Sequence, residues 1–356
     1  MKTEAMVIRA TGGPEVLQRE SIDIAEPGAR EVRVRVRAVA CNHVDLWMRR
    51  GLPHVKYEWP YRLGCDITGE IDAIGAGARG ASGTLKVGDK VVVSPGVSCG
   101  VCARCLSGQD NLCRQYRMFG EGMQGGYTRH LNVPDTNLLP FPAGLSFTDA
   151  AAVPLVFLTA WQMLVRKAHV QPGQTVLVQA AGSGVSSAAI QIAKLHGARV
   201  IATAGSDAKI ERALALGADH GINYATQDFV AECKKLTDKL GVDVVVEHVG
   251  GDTFVKSVLA TRWGGRVVTC GATSGFTPQI DLRQIFFRQV EVLGSTMGPK
   301  GDLFPILELV ASGKLHPVVA RVMPLWRAAD AHRALEERKV FGKVVLEVEC
   351  LRGRTR

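Results

Sequence analysis

The sequence lacks several features that would point to a membrane or to nucleic acid. None of its 356 residues belongs to an apolar run of the roughly 18 residues that a membrane-spanning helix needs, so we expect no membrane partner. The opening residues MKTEAMVIRATGG contain no hydrophobic signal-peptide core, and we therefore expect a cytoplasmic protein. No block of Lys and Arg alternates with aromatic residues, although the net charge is +9. This argues against nucleic acid and favours a basic enzyme surface, or a ligand that carries phosphate.

The nine cysteines are unevenly distributed. Five of them are isolated, whereas the segment 96–116 contains four with the spacing C-x2-C-x2-C-x7-C, namely Cys99, Cys102, Cys105 and Cys113. In a reducing compartment, thiols this close together usually bind a metal, and four thiolates suit tetrahedral Zn²⁺. Two disulfides are the alternative. Because four sulfurs leave no position for a substrate, we expect one structural zinc, with the chemistry elsewhere.

The first 154 residues predict a compact β-rich domain. The segment Glu31–Ala40, EVRVRVRAVA, alternates polar and apolar residues with a period of two and predicts a half-buried strand. A short helix follows in NHVDLWMRRG, with Asn42 as its cap, Asp45 as the capping-box partner and Gly51 as its end. Residues 298–356 return to a mixed pattern and end in the strand GKVVLEVE, which we expect to pack on this first domain.

Residues 155–297 predict a second domain of a different kind. Six strands alternate with helices, in the segments QTVLVQA, ARVIATA, DHGINY, VDVVVEHVG, GRVVTCG and VEVLGST. This alternation is typical of a parallel, doubly wound sheet, so the chain as a whole is of the α/β class.

A glycine-rich turn after the first of these strands predicts a dinucleotide site. The segment AAGSGVSSAA has small residues where the backbone must approach a pyrophosphate at a helix N-terminus. The residues we expect at the cofactor are Gly182, Ser183, Gly184 and Val185. Ser186 replaces a further glycine, and its hydroxyl could reach a phosphate.

The end of the second strand favours NADPH over NADH. An NAD site usually has an acidic residue about 20 residues after the glycines. Here that position reads Ala204, Gly205 and Ser206, and Lys209 follows one helical turn later. A hydroxyl and a cation suit a 2′-phosphate, and we interpret Asp207 as the cap of the next helix.

Taken together, the inserted nucleotide domain, the four-cysteine lobe and the GKVVL ending resemble the medium-chain dehydrogenase/reductase superfamily over essentially the whole chain. The resemblance implies a GroES-like β-rich catalytic domain joined to a Rossmann domain. The motifs AGSD.K and INY are similar to the quinone oxidoreductase branch. There the residues matching Ser206, Lys209 and Tyr224 surround the NADPH 2′-phosphate, and the residue matching Lys343 lies near the cofactor phosphates.

The resemblance also places a cleft between the domains. On its nucleotide side we expect the glycine-rich loops HVGG and CGATSG, which follow later strands and include His248, Gly271 and Thr273. The aromatic and proline-bearing segment GLPHVKYEWPYRLG suggests an apolar or planar substrate. We expect a homodimer or homotetramer, with the strand VEVLGST as the pairing edge.

The chain departs from the zinc alcohol dehydrogenases at their catalytic metal. Asn42 occupies the place of the first cysteine ligand, Cys65 and Asp66 replace a His-Glu pair, and Leu155 occupies the place of the last cysteine. Asn-x-x-Asp is instead the pattern of the zinc-free quinone oxidoreductases. A rearranged metal site built from Cys41, His43, Cys65 and Asp66 remains the alternative.

Loss of that zinc restricts the chemistry. Removing hydride from an unactivated alcohol requires its hydroxyl proton to be acidified, which zinc does as a Lewis acid, whereas adding hydride to a quinone or an α,β-unsaturated carbonyl needs mainly hydrogen-bond donors. We therefore expect an NADPH-dependent reductase of such acceptors. Asn42 is a candidate donor, Asp45 an orienting acceptor or only a helix cap, and Thr159 a hydroxyl donor. The proton comes from Cys65, from His43 or from solvent. The alternatives are a zinc-dependent alcohol dehydrogenase with the rearranged site and a non-catalytic, crystallin-like NADPH-binding protein.

Overall fold

A computed structural model describes residues 1–52, 55–80 and 83–348. Pro53 and His54 of the expected substrate segment, and Cys350, lie outside the described residues. The chain divides into two compact units. The first contains Met1–Leu155, Pro299–Gly313 and the chain from Pro317 onward, and the second contains Val156–Gly298 and Lys314–His316. Within the described ranges, no helix is both long and apolar enough to cross a membrane.

The strands are β1 (Lys2–Val7), β2 (Gln18–Asp23), β3 (Glu31–Ala40), β4 (Asp66–Ile74), β5 (Lys90–Val93), β6 (Gly96–Val97), β7 (Arg117–Phe119), β8 (Gly122–Met123), β9 (His130–Pro134), β10 (Leu138–Pro140), β11 (Thr175–Val178), β12 (Arg199–Ala204), β13 (His220–Asn223), β14 (Val242–Glu247), β15 (Thr261–Thr269), β16 (Glu291–Gly294), β17 (Val319–Pro324) and β18 (Lys343–Glu347).

The helices are α1 (His43–Arg50), α2 (Ala103–Leu106), α3 (Phe147–Ala151), α4 (Pro154–Trp161), α5 (Gly184–Leu195), α6 (Asp207–Ala215), α7 (Phe229–Leu236), α8 (Gly251–Ala260), α9 (Arg283–Phe286), α10 (Leu303–Ala311) and α11 (Ala328–Glu336). A π-helical stretch, Gln162–Lys167, continues α4.

The first unit is built around a mixed sheet in the order β10-β5-β4-β3-β18-β17, with β9 also paired to β3. The apolar residues of β3 explain its central place, because Val32, Val34 and Val36 are buried while Arg35 between them is exposed. The strand β18 pairs with β3 on its antiparallel side and with β17 on its parallel side. The strand β18 therefore packs in the first unit.

The second unit is a six-stranded, fully parallel sheet in the order β13-β12-β11-β14-β15-β16. Its strands are nearly continuous apolar runs, such as Val242–Glu247, because helices cover both faces of a parallel sheet. The first strand lies next to the second and the fourth, which is the doubly wound order with a switch point between β11 and β14. The predicted α/β fold class is confirmed.

Candidate functional site

Three neighbouring strands of the first unit bring Asn42 and Cys65, two of the four predicted catalytic residues, together with Asp66 and Lys343. In the ladder, Ala40 at the end of β3 lies opposite Asp66 at the start of β4 and opposite Val345 of β18. Asn42 follows β3, and Lys343 is the first residue of β18. The sheet register therefore places Asn42, Asp66 and Lys343 at one end of the sheet.

These three side chains form a buried cluster with Lys343 as its cation. Lys343 Nζ donates to Asp66 Oδ2 at 3.0 Å and also donates to Asn42 Oδ1. Asn42 Nδ2 donates to the same Asp66 oxygen at 2.9 Å, and Asp66 Oδ1 accepts the backbone N–H of Leu155 at 2.8 Å. Lys343 is 4% exposed and Asp66 is fully buried. We call Asn42, Cys65, Asp66 and Lys343 the lysine cluster.

The ammonium of Lys343, which the resemblance places near the cofactor phosphates, is buried within the first unit. Here β18 lies between β3 and β17, and the side chain ends on Asp66. The residue thus joins the predicted catalytic group, because a buried carboxylate needs a cation beside it.

Cys65 completes the lysine cluster as a neutral thiol. Its Sγ lies 3.3 Å from Asn42 Nδ2, and its side chain is fully buried. Burial, reinforced by the charge of Asp66, raises the pKa of Cys65 well above that of an ordinary thiol. The thiol therefore keeps its proton at neutral pH in the metal-free cluster.

Asp45 both caps a helix and holds a neighbouring loop. Its Oδ2 accepts the backbone N–H of Asn42 at 2.7 Å, and its Oδ1 accepts the backbone N–H of Gly64 at 2.8 Å. Burial raises the pKa of Asp45 to about 7, although both hydrogen bonds favour the ionised form. Asp45 thus caps α1 through the backbone N–H of Asn42, as one of its two predicted roles requires, and ties the loop at Gly64 to this helix start.

The residues of the rearranged metal site are not gathered as a ligand set. His43 begins α1 with its side chain exposed, whereas Cys41 and Cys65 are buried. Over the described part of the chain, only the four-cysteine lobe brings three or more Cys, His or carboxylate ligand atoms together.

A second buried network reaches Cys41, and no local sequence pattern indicates it. Arg49 donates to Glu336 and to His332 Nδ1, the latter at 3.1 Å. Arginine has no acceptor, so a neutral His332 must carry its proton on Nε2 and donate it to the Tyr127 oxygen at 2.9 Å. Burial lowers the pKa of His332 to about 3, which keeps the ring neutral. Tyr127 then donates to Cys41 Sγ at 3.2 Å.

The four-cysteine lobe has the dimensions of a tetrahedral thiolate site. All four sulfurs lie within 4.8 Å of one another. Two of the separations are 3.8 Å for Cys99–Cys105 and 3.5 Å for Cys102–Cys105, close to the ~3.8 Å edge expected for Zn–S bonds of about 2.3 Å. No disulfide joins them, and hydrogen bonds from the backbone of Val101 and Cys102 lower the pKa of Cys99 to about 6. The donor set fits a zinc ion.

The glycine turn of the second unit leads into α5 as predicted. Ser183 is the N-cap residue, and its hydroxyl accepts the backbone N–H of Ser186 at 3.0 Å. Gly182 precedes this cap, while Gly184 and Val185 form the first turn of the helix. The turn therefore presents helix N–H groups at the carboxyl end of β11.

The expectation that the Ser186 hydroxyl reaches a phosphate is wrong. Ser186 is fully buried, and its hydroxyl donates to the carbonyl of Gln179 at 2.6 Å. Because that proton is used, His248 Nε2 at 2.8 Å acts as the donor to the Ser186 oxygen. Ser186 therefore fastens the turn to His248 in the loop that follows β14.

The other predicted loops lie at the same edge of the sheet. Thr273 donates its backbone N–H to the carbonyl of His248 at 3.3 Å, and Ser274 donates to Val249 at 2.7 Å. A side chain on Gly271 would lie 3.4 Å from the carbonyl oxygen of His248. The loops after β14 and β15 are thus tied together beside the glycine turn.

The predicted phosphate-selecting residues lie around the start of α6. Ser206 is the N-cap residue, and the Tyr224 hydroxyl lies 2.9 Å from where a Cβ on Gly205 would stand, so a larger residue there would displace the Tyr224 side chain. Lys209 is half-buried on the first turn of α6. Asp207 does not cap the helix, contrary to our interpretation: its carboxylate accepts the side-chain N–H of Asn223 at 2.7 Å.

Thr159 lies on α4 in the second unit and is 5% exposed. Its hydroxyl points to the sulfur of Met297 at 4.0 Å, which is a weak hydrogen bond.

Comparisons with known proteins match both units to described families. Residues 28–143 match the family described as "Alcohol dehydrogenase GroES-like domain", and residues 184–312 match "Zinc-binding dehydrogenase". A crystal structure titled as an NAD-dependent alcohol dehydrogenase has 53% sequence identity and a TM-score of 0.94, and the match covers 97% of this chain and all of that one.

Three curated relatives match along almost their whole length. The NAD-dependent alcohol dehydrogenase of Sulfolobus acidocaldarius is 31% identical over 97% of this chain and 99% of its own length. A 2-haloacrylate reductase of Burkholderia sp is 30% identical over 96% of this chain and 98% of its own. The quinone oxidoreductase of Homo sapiens is 28% identical over 94% of each chain.

Proposed function

The chain belongs to the medium-chain dehydrogenase/reductase superfamily, in the family of zinc-type alcohol dehydrogenases, and is an oxidoreductase; we propose that it transfers a hydride from NADPH to a quinone or an α,β-unsaturated carbonyl compound. The observation that carries this proposal is the lysine cluster, in which an ammonium group is bonded to Asp66 and Asn42.

The charges of the lysine cluster support a reaction without a catalytic metal. One carboxylate and one ammonium balance each other, so a divalent cation would have to displace Lys343 before it could bind Asp66. Asn42 offers an amide already committed to Asp66, and Leu155 offers only its backbone N–H. An alcohol would therefore lack the Lewis acid that lowers the pKa of its hydroxyl. A conjugated acceptor needs none, because charge moves to a distant oxygen.

In this proposal the nicotinamide supplies the hydride when NADPH is bound. The residues of this chain position the acceptor and fix the charge beside it. Lys343 and Asn42 hold Asp66 in place, and Cys65 keeps its proton. The product takes its proton from solvent or from the thiol of Cys65. Each acceptor molecule thus gains one hydride and one proton.

We propose NADPH rather than NADH as the cofactor. Ser206, Lys209 and Tyr224 offer two hydroxyls and a cation around the start of α6, and the carboxylate of Asp207 is already bonded to Asn223. Dissociation constants for the two nucleotides test this proposal. At least about tenfold tighter binding of NADPH, or ~1.4 kcal/mol, is expected, and equal affinities would contradict it.

We propose that the four-cysteine lobe holds one structural zinc ion. Cys99, Cys102, Cys105 and Cys113 would supply all four ligands, leaving no open position for a substrate. The zinc would hold the lobe together without taking part in hydride transfer.

The second candidate is an NAD-dependent alcohol dehydrogenase with a remodelled metal site. The solved structure with 53% identity, described by that activity, favours it. It requires a metal ion at Cys65 and Asp66 in place of the ammonium.

One experiment separates these functions. Purified protein is assayed for NADPH and NADH oxidation with a quinone, an enone and an aldehyde, and for alcohol oxidation, before and after a strong chelator. The zinc content of each sample is measured in parallel. We expect quinone or enone reduction at one zinc per chain. Chelator-sensitive alcohol oxidation at two zinc ions per chain favours the second candidate, and tight NADPH binding without turnover favours a non-catalytic protein.

We also propose a homodimer or homotetramer that pairs through β16. This strand is an edge of the second unit's sheet, and Val292 on it and Phe286 and Phe287 before it are exposed. Light scattering after size exclusion tests the oligomeric state, and a monomeric Val292→Lys variant would support this edge.

A further inference from the structure

Arg62 is a buried arginine that has no counter-ion among the residues that the structure describes. Its side chain and backbone together are 8% exposed, and its buried Nε makes no hydrogen bond within the described residues. The two other buried arginines of that part of the chain are paired: Arg33 binds Asp72 and Glu26, and Arg49 binds Glu336. Arg62 is therefore the exception among the three, because no carboxylate of the described residues pairs with its guanidinium.

The segment that carries Arg62 is held firmly in place. The backbone N–H of Arg62 donates to Gln124 Oε1 at 2.9 Å, and its carbonyl accepts the N–H of Gly125 at 2.9 Å. Gln124 also donates to the carbonyls of Glu58 and Pro60. These hydrogen bonds fix the backbone from which the Arg62 side chain extends.

The same segment runs directly into the lysine cluster. Two residues after Arg62, the N–H of Gly64 is bound by Asp45, and four residues after it Asp66 accepts Lys343. Since a chain spans at most about 3.5 Å per residue, the Cα atoms of Arg62 and Asp66 are no more than ~14 Å apart. A small acceptor molecule together with an arginine side chain covers such a distance.

An unpaired buried cation is costly to the folded protein. Burial alone lowers the pKa of Arg62 to about 10, so the group remains charged at neutral pH. Proteins retain a buried unpaired charge where a bound ligand supplies the missing partner. Until the ligand binds, the folded protein is less stable. A planar guanidinium is matched in shape and charge by a carboxylate.

We propose that Arg62 binds a carboxylate of the acceptor substrate and so makes the protein selective for unsaturated acids that carry this group. The inference rests on the proposed reductase function and specifies its substrate class. For an unsaturated keto acid, the hydride from NADPH forms a C–H bond at one alkene carbon, the alkene π pair moves toward the ketone oxygen, and solvent protonates the other carbon. The carboxylate itself is unchanged and stays on Arg62.

The test compares (E)-4-oxo-2-pentenoate with its methyl ester, which has the same enone and no charge. In Arg62→Met, kcat/KM for the acid should fall at least about tenfold, chiefly through KM, while the ester changes less than about threefold. Arg62→Lys keeps the positive charge but cannot make two parallel hydrogen bonds to a carboxylate. Its kcat/KM for the acid should lie between those of the wild type and Arg62→Met. Arg117→Met, which removes an exposed arginine, is the matched control and should change neither substrate.

A stability measurement separates this role from a structural one. Without ligand, Arg62→Met should raise Tm, because it removes an unpaired buried charge, whereas Arg33→Met should lower Tm, because it leaves Asp72 unpaired. A fall in Tm for Arg62→Met with equal losses on acid and ester would overturn the proposal. So would a changed Kd for NADPH in this variant, since Arg62 would then pair with the nucleotide phosphates.

Calorimetric binding of the acid in the absence of NADPH distinguishes the two proposals. If no acceptor is reduced but the acid binds the wild type and not Arg62→Met, the reductase function fails and the carboxylate site stands. If the enones are reduced but acid and ester bind alike, the carboxylate site fails and the reductase function stands.

Discussion

At the scale of single residues, a lysine is bonded to two of the residues that replace the expected ligands of a catalytic zinc. Lys343 and Asp66 bury a full ion pair, and Asn42 and the backbone N–H of Leu155 supply further hydrogen bonds to it. A buried pair adds little net stability, since desolvation offsets most of the attraction. The pair is therefore better explained by function than by folding.

Removing one partner of this pair should be costly. Lys343→Met leaves the Asp66 carboxylate buried without a cation and should lower the free energy of unfolding by about 3–5 kcal/mol. The double variant Lys343→Met with Asp66→Asn should recover much of that loss. Urea unfolding of the single and double variants measures both effects, and a single variant within about 1 kcal/mol of wild type would contradict the buried pair.

Asp45 should make stability depend on pH. Its pKa is about 7 in the folded protein against 3.8 for a free side chain, so the folded state binds the proton more tightly between these values. The contribution of Asp45 to stability is therefore complete below pH 3.8 and is lost as pH rises through 7.

Comparison with Asp45→Asn isolates this effect. As pH rises from 5 to 7, wild type should lose stability relative to the variant by up to ~1.4 kcal/mol per pH unit. Urea unfolding at each pH supplies the two free energies. A difference that stays constant over this range would show that Asp45 does not titrate there.

At the scale of elements, the junction of β12 and α6 should control the choice of nucleotide. Ser206→Asp places a carboxylate at the helix start, where it would repel a 2′-phosphate and bind ribose hydroxyls. The ratio of the Kd values, NADPH over NADH, should rise at least about tenfold. Ser206→Ala, which adds no charge, is the control. If the aspartate variant keeps the wild-type ratio, the 2′-phosphate lies elsewhere.

Much of the element structure follows from local sequence patterns. All six strands of the second unit occur where apolar runs predict them, and the helix after Asn42 ends at Gly51 as expected. These predictions succeed because the hydrophobic and capping patterns of a strand or helix depend only on residues close together in the sequence. Side-chain partners were less predictable: the hydroxyl of Ser186 turns inward and Asp207 binds Asn223, choices that depend on the packing of neighbouring loops.

The candidate site was only partly predictable for the same reason. Substituted zinc ligands identified Asn42, Cys65 and Asp66 from local motifs. The contact between Asp66 and Lys343 joins residues 277 positions apart and depends on the register of three strands. The unpaired state of Arg62 likewise required knowledge of every neighbour.

At the scale of the whole molecule, two groups of sulfurs have different roles. The four thiols of the lobe are close enough to share one ion, whereas Cys41 and Cys65 are buried as neutral thiols, with burial raising the pKa of Cys41 to about 12. Removing lobe zinc, as in Cys102→Ser, should therefore lower Tm and leave no bound metal. A variant that keeps stoichiometric zinc would place the metal outside the lobe.

The central claim is that the lysine cluster works without a metal ion. Its most direct test is the zinc content per chain, measured by elemental mass spectrometry. The sample is active wild-type protein that has been saturated with zinc and then desalted. One zinc ion per chain is the predicted result, since the lobe alone binds it. Two per chain, with the second lost together with activity in Cys65→Ser, would contradict the claim.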